Sequence, residues 1–130
     1  MGEKLLKFDY LASPYSHEFE AVREMRFRAV EATTAYLFKQ GHVVFSPIVY
    51  CHKIATKWAL PKDALFWRNL NFSFLHSSKE IIVLALPGWQ DSQGVKGEME
   101  EASRLQLPIK FLWPHEVGVQ DITDNILSLL

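Results

Sequence analysis

Apolar positions along this chain follow two different patterns. Short, nearly continuous apolar runs predict four buried strands, at 5–12, 42–48, 80–87 and 108–113. Between them, apolar residues recurring every three or four positions predict helices at 17–40, 94–106 and 122–130. Strands separated by helices are typical of α/β proteins, and the unbroken run "EIIVLALP" fits a parallel strand covered on both faces. We therefore predict a flavodoxin-like or Rossmann-like three-layer sandwich with a central parallel sheet of four to five strands.

Local signals mark where the predicted elements begin and end. Ser16 is a suitable N-cap for the first helix, and Gly41 can end that helix in a left-handed conformation. Pro47 is expected to stop the second strand. We find no repeat, low-complexity tract or linker, so residues 1–130 are predicted to form a single domain.

Three segments follow the carboxyl ends of the predicted strands: "ASPYSH", "SPIVYCH" and "PGWQDSQG". In open parallel sheets, ligands bind beyond these strand ends, where the topology changes direction. These segments are therefore where a binding site is expected.

Glu98 lies on the face of its predicted helix that otherwise carries apolar residues. A rotation of 100° per residue places Val95, Met99 and Ala102 on one stripe together with Glu98. A buried carboxylate requires compensation, so Glu98 either has a structural partner, such as Arg23 or Arg26 or the helix dipole, or faces a cleft at the sheet edge. Both interpretations remain open at this stage.

Composition and charge exclude several classes of protein. Of the residues, 48% are hydrophobic and 22% charged, with a formal net charge of -1, which gives no general attraction to nucleic acid polymers or anionic membranes. The chain contains a single cysteine, Cys51, lacks the apolar core of a signal peptide and has no run long enough to span a membrane. We expect a cytoplasmic protein without a membrane partner.

The motifs "YLASPYSH", "GHVVFSPI" and "VLALPGWQDSQGVKGEMEEA" resemble the nucleoside 2-deoxyribosyltransferase-like family, in particular a short bacterial and phage branch. The likeness covers most of the chain, and its most specific part is the Gly-Trp turn followed by Ser92, Gly94 and Glu98. The resemblance implies cleavage or exchange of the N-glycosidic bond of a nucleoside or nucleoside 5′-monophosphate. It implies that Glu98 attacks the anomeric carbon or stabilises the cationic sugar. We expect neither a cofactor nor a metal.

The resemblance also implies a catalytic acid on the helix before the third strand, where the family has an aspartate. Alignment on the Pro-Gly-Trp turn puts Asn71 at that position. An amide cannot donate an ionisable proton, although it can hydrogen-bond a base edge or a sugar hydroxyl. Asp63, Asp91 or a histidine is then left to supply the acid.

The remaining candidate ligand contacts lie in two turns. Helix starts bind anions, so "DSQG", which contains Asp91, Ser92 and Gly94, can hold a phosphate or sugar oxygen, unless Ser92 is simply a helix cap. Trp89, in the turn before it, is a further candidate contact with the substrate. In the family, the loop carrying Ser13, Tyr15 and Ser16 touches the sugar or base. Tyr15 packing without ligand contact is the alternative.

Histidines and the cysteine have plainer interpretations. His17 opens a helix and is expected to be neutral and solvated, whereas His42 is expected to be structural. Cys51 and His52 together are neither a metal ligand set nor a thiol nucleophile with an oriented base.

Residues 57–76 are unusually aromatic. Phe66, Trp67, Leu70 and Phe74 share one helical stripe, while Leu65 and Phe72 lie across from it. A subunit interface explains apolar surface on more than one side, so we expect a homo-oligomer, at least a dimer.

Three functions therefore remain open for the chain. The preferred one is N-glycosidic bond cleavage or exchange with Glu98 as nucleophile. The others are a non-catalytic nucleotide-binding or sensing module, and a flavodoxin-like scaffold that binds a partner through its aromatic surface.

Overall fold

Four parallel strands form a central sheet in the computed structural model, which describes residues 7–130. They are ordered β2-β1-β3-β4. Their bounds are β1 Asp9–Ala12, β2 Val44–Phe45, β3 Glu80–Leu84 and β4 Ile109–Leu112. The helices are α1 Glu20–Lys39, α2 Pro47–Lys57, α3 Ala64–His76, α4 Gln93–Arg104 and α5 Gln120–Leu129, with short 3-10 turns at Trp89–Asp91 and Pro114–Glu116.

Helices cover both faces of the sheet and form two apolar cores with it. Because side chains alternate along a strand, Leu11 and Ile82 point toward α1 and α5, whereas Tyr10 and Ile81 point toward α3 and α4. This arrangement confirms the predicted three-layer α/β sandwich of the flavodoxin-like or Rossmann-like type. In the part of the chain described, no helix is long and apolar enough to cross a membrane.

The prediction of a second strand at 42–48 is largely wrong. Only Val44–Phe45 pairs with β1, and the segment "SPIVYCH" continues as helix α2 rather than as a loop. Ser46 caps this helix, since its hydroxyl oxygen accepts a hydrogen bond from the amide of Val49 at 3.2 Å. Pro47 occupies the first helical position, where its missing N–H costs nothing and its φ is already suitable.

The start of α1 also differs from the prediction. The helix begins at Glu20, after Phe19 as N-cap, and Ser16 does not cap it. The Ser16 hydroxyl instead donates to the carbonyl oxygen of Lys62 at 2.5 Å, which ties the loop after β1 to the segment before α3. The predicted end is confirmed, because Gly41 follows the helix with φ of 85°.

The other predicted elements are present with shifted ends. Strand β3 stops at Leu84 rather than at 87, because the amide of Leu86 donates to the carbonyl of Leu84 at 2.9 Å and turns the chain. Strand β1 begins at Asp9 among the described residues, and the predicted strand positions 5–6 lie outside them. Helix α4 begins one residue before the predicted start and ends two residues before the predicted end.

Candidate functional site

A cavity of about 460 Å³ lies beyond the carboxyl ends of β1 and β3, between the loop after β1, helix α2, the start of α3 and the start of α4. Its volume is in the range usual for small-molecule sites. The predicted site residues that line it are Ser13, Tyr15, Ser16, Asn71, Asp91, Ser92, Gly94 and Glu98. The predicted candidates thus meet at one place, with Trp89 as the exception.

Trp89 lies apart from this cavity. The short 3-10 turn that contains it directs the indole toward β4, where its ring centroid is 5.2 Å from that of Phe111. Trp89 packs against the core between the sheet and helices α3 and α4, and lines a separate, shallower depression. Its position therefore matches packing, not the predicted contact with substrate.

Glu98 is buried in the wall of the cavity, with 5% of its surface exposed. The phenol of Tyr10 in β1 donates a hydrogen bond to its Oε2 atom. Tyr10 is completely buried on the sheet face that α4 covers, which is why the two side chains meet. Sequence reasoning missed Tyr10, although a polar aromatic residue inside an apolar strand was an available signal.

The electrostatics of Glu98 are those of a carboxylate without a cationic partner. Neither Arg23 nor Arg26 pairs with it, because both guanidinium groups donate to backbone carbonyl oxygens instead. Burial raises the pKa of Glu98 from 4.5 to about 7, and the hydrogen bond from Tyr10 acts in the opposite direction. Both interpretations left open by the sequence have a counterpart in the structure, since Glu98 has a structural partner in Tyr10 and also lines the cavity.

Arg26 braces the loop after β1. Its Nη1 donates to the carbonyl oxygen of Ser16 at 3.0 Å, and its Nη2 donates to that of Pro87 at 3.1 Å. The guanidinium is nearly buried and thereby joins the loops that follow β1 and β3. Gly88 has φ of 90°, and a Cβ there would lie 2.8 Å from Arg26 Nη2, so any other residue would strain the backbone and displace this guanidinium.

Two buried polar atoms in the cavity wall have no hydrogen-bond partner in the described structure: the Ser13 hydroxyl oxygen and the Asn71 Oδ1. Buried polar groups are nearly always paired in folded proteins. Both residues line the cavity but these two atoms are themselves shielded from it, so each side chain must turn toward the cavity before a bound ligand can complete the pairing.

The start of α4 forms another side of the cavity. Ser92 caps the helix by accepting from the amide of Val95 at 3.2 Å, so the capping interpretation is correct for its hydroxyl. The helix start nevertheless opens toward the cavity through Gln93 and Gly94. Asp63 and Asp91, named as possible acids, also line the cavity as exposed side chains.

A chain of three side chains runs along the opposite side. The Tyr15 hydroxyl lies 2.6 Å from Nδ1 of His52, and Nε2 of His52 lies 2.8 Å from Oε2 of Glu24. Tyr15 and His52 line the cavity, whereas Glu24 does not. Since both His52 nitrogens are engaged, His52 does not serve Cys51, whose thiol pKa is raised by burial.

Within residues 7–130, no cluster of three or more His, Cys, Asp or Glu residues is arranged to hold a metal ion. The other histidines lie elsewhere. His17 Nδ1 accepts a hydrogen bond from the amide of Phe19 at 3.0 Å. His42 lies 3.5 Å from Asp9 near the start of β1, away from the cavity.

The cavity lies entirely within the part of the chain that a family model matches. No curated protein matches the chain. A family model described as Domain of unknown function (DUF1937) matches residues 7–114, which include the four described strands and every residue named above as lining the cavity. With the match covering most of its length, the chain belongs to the DUF1937 family.

Proposed function

We propose that this protein cleaves or exchanges the N-glycosidic bond of a nucleoside, deoxynucleoside or nucleoside 5′-monophosphate, with Glu98 as the nucleophile. The observation that carries this proposal is the buried Glu98 carboxyl group in the cavity wall, which pairs with no cation in the described chain and accepts a hydrogen bond from Tyr10.

The residue type suits the chemistry. Breaking the bond between C1′ and the base nitrogen generates positive charge on the sugar, which a carboxylate neutralises or traps as a glycosyl-enzyme intermediate. With its pKa raised to about 7, Glu98 is partly ionised at neutral pH, and the desolvation that raises the pKa also makes the carboxylate more reactive toward a cation. Tyr10 holds the carboxylate in one orientation.

Other cavity residues offer contacts for the rest of such a ligand. The Ser13 hydroxyl and the Asn71 amide oxygen are unpaired and, once turned toward the cavity, suit sugar hydroxyls or a base edge. Trp67 and Tyr15 provide aromatic surface for a base. The start of α4 and Lys62 suit a 5′-phosphate, whereas Asp91 disfavours one, so both nucleosides and their monophosphates belong in the test.

A second candidate function, a nucleotide-binding or sensing module without turnover, is favoured by Asn71. This amide occupies the position at which the resembling family has its acid, and it cannot protonate a departing base. The same cavity would then bind nucleotide without breaking the glycosidic bond.

The test is incubation with purine and pyrimidine nucleosides, deoxynucleosides and their 5′-monophosphates, followed by chromatography for free base. We expect base release by the wild type, and a loss of at least about 1,000-fold in Glu98→Gln. Glu100→Gln, on the exposed side of the same helix, is the matched control and should retain activity.

Absence of base release from every probe would refute the catalytic proposal. Saturable nucleotide binding by calorimetry, unchanged in Glu98→Gln, would then establish the binding module. If neither release nor binding is observed, the cavity is not a nucleotide site.

We also propose that the protein is a homo-oligomer. Large apolar side chains are exposed at the end of α2 and the start of α3: Trp58 is 68% exposed, Leu65 73% and Phe66 50%. An exposed apolar patch of this kind typically marks a protein interface. Sedimentation equilibrium tests this, and a monomer at micromolar concentration would contradict it.

A further inference from the structure

The contacts from Tyr15 through His52 to Glu24 form a continuous path from the cavity to the protein surface. Tyr15 is half-buried, His52 is 7% exposed, and the Glu24 side chain is 43% exposed. The His52 ring stacks on Phe27 with a centroid distance of 4.3 Å and an interplanar angle of 21°, which fixes its orientation. Three titratable groups are thus held in one line by packing as well as by hydrogen bonds.

The geometry determines where a proton can move along this path. A carboxylate only accepts hydrogen bonds, so Nε2 of His52 carries a proton and donates a hydrogen bond to the Glu24 carboxylate. The variable position is therefore Nδ1, which faces the Tyr15 hydroxyl. The Nδ1 atom of a neutral His52 accepts a hydrogen bond from the phenol. The Nδ1 atom of a charged His52 instead donates a hydrogen bond to the phenol oxygen, which leaves the phenol O–H free to point into the cavity.

We propose that Tyr15, His52 and Glu24 are the acid–base relay of the site, with Tyr15 as the group that exchanges protons with substrate. This inference rests on the proposed glycosidic chemistry and supplies the proton donor that Asn71 cannot be. Tyr15 and Glu98 line the same cavity, so the donor and the nucleophile have access to one substrate.

The relay accounts for every proton in both halves of the reaction. As Glu98 forms a bond to C1′ and the bond from C1′ to the base nitrogen breaks, Tyr15 protonates that nitrogen and charged His52 reprotonates Tyr15. His52 is then neutral. Water or an acceptor base then attacks C1′ and displaces Glu98. The proton lost by this attacking molecule passes to Tyr15 and from Tyr15 to His52, which restores the starting state.

Each member has a physical reason for its role. Burial, with a smaller contribution from Glu24, raises the pKa of Tyr15, although Arg23 opposes this, so the phenol keeps its proton until a departing base takes it. The Glu24 carboxylate accepts a hydrogen bond from Nε2 of His52 and so fixes which ring nitrogen faces Tyr15. Neither Tyr15 nor His52 requires a metal or a bound cofactor to transfer a proton in this way.

The experiment compares each variant on two substrates that differ only in the need for an acid. One is a nucleoside that the wild type cleaves, and the other is its N7-methylated purine or 5-fluorinated pyrimidine counterpart, whose base departs with little or no protonation. In Tyr15→Phe, the first-turnover rate of base release should fall about 10²- to 10⁴-fold on the unmodified substrate. On the activated substrate this rate should fall less than about tenfold. Mass spectrometry should detect glycosylated Glu98, because the variant lacks the general base that accepts a proton when the intermediate is resolved.

Further variants separate the relay from general damage to the fold. His52→Gln should lower the rate of base release in the same way as Tyr15→Phe. Glu24→Gln, at an exposed side chain, should also affect the unmodified substrate more than the activated one, but with a smaller loss of rate. Tyr50→Phe and His115→Gln are matched controls on exposed residues that do not line the cavity, and both should retain wild-type rates.

The outcomes distinguish this inference from the proposed function. Equal losses on both substrates, or no loss on either, would overturn the relay while base release by the wild type upholds the glycosidic function. If the wild type releases no base from any probe, the glycosidic function fails, and the relay fails with it.

Discussion

The Tyr10 phenol and the Glu98 carboxyl group are hydrogen-bonded to each other across the boundary between the sheet and helix α4. Tyr10 is one of the few polar side chains on its face of the sheet, and Glu98 lies on the buried face of its helix. The pair therefore places an ionisable group with a raised pKa at the cavity, and the protein bears a stability cost whenever that group is charged.

Stability should fall as pH rises through the range in which Glu98 is protonated only in the folded state. The pKa is 4.5 in the unfolded reference and about 7 in the folded protein, so the folded state binds more protons between these values. Glu98 has no effect on the free energy of unfolding below pH 4.5 and lowers it by about 3 kcal/mol above pH 7. Glu98→Gln should remove this loss, so that it exceeds the wild type in denaturant unfolding at pH 8 but not at pH 4.5.

Glu100→Gln is the control for that measurement, because Glu100 is exposed on the same helix. Its unfolding free energy should follow that of the wild type at both pH values. Equal stability of Glu98→Gln and wild type at pH 8 would mean that Glu98 is not desolvated.

Tyr10→Phe should move the pH dependence of base release upward. Glu98 must be ionised to act as nucleophile, and the activated substrate needs no acid, so the wild-type first-turnover rate on that substrate should rise with pH around a midpoint of about 7. The Tyr10 hydrogen bond lowers the pKa of Glu98, and its removal should raise the midpoint by about one pH unit. Tyr36→Phe, on a partly exposed residue of α1, should leave the midpoint unchanged. A Tyr10→Phe midpoint equal to that of the wild type would contradict this assignment.

Much of the fold was predictable because strand and helix periods are local properties of the sequence. Helical period alone located Glu98 on a buried face, and the positions of the turns after β1 and before α4 grouped most of the cavity residues correctly. Its partner Tyr10 was not predictable in the same way, since strand register and helix placement decide which residue lies opposite Glu98.

The errors also have physical causes. In "HVVFSPIVYCH" the β-branched residues continue past Pro47, and proline was interpreted as a strand stop although it also favours the first turn of a helix. That error hid the contact of His52 with Tyr15, because the contact exists only if α2 is a helix packed against the loop after β1. Trp89 was misplaced because a single 3-10 turn decides which way the indole faces.

Gly88→Ala should destabilise the protein and disturb the loop after β1. The left-handed backbone at Gly88 is strained for alanine, and the added Cβ would meet Arg26 Nη2 at 2.8 Å. Together these effects should cost about 2 kcal/mol in denaturant unfolding. Gly97→Ala is the matched control, because its Cβ meets nothing within 4 Å inside helix α4, and it should gain about 0.5–1 kcal/mol. Equal effects of the two substitutions would show that Arg26 does not constrain this turn.

Ser13→Ala should weaken ligand binding without destabilising the free protein. The Ser13 hydroxyl is buried and unpaired, so its removal costs no hydrogen bond until a ligand is bound. Measured by calorimetry in a Glu98→Gln background, nucleotide affinity should fall about tenfold, while the unfolding free energy stays equal or rises by up to about 1 kcal/mol. Ser78 is equally buried but donates to the carbonyl of Leu75 at 2.7 Å, so Ser78→Ala should lose about 1 kcal/mol of stability and no affinity. If Ser13→Ala instead behaved like Ser78→Ala, its hydroxyl would serve the fold and not the ligand.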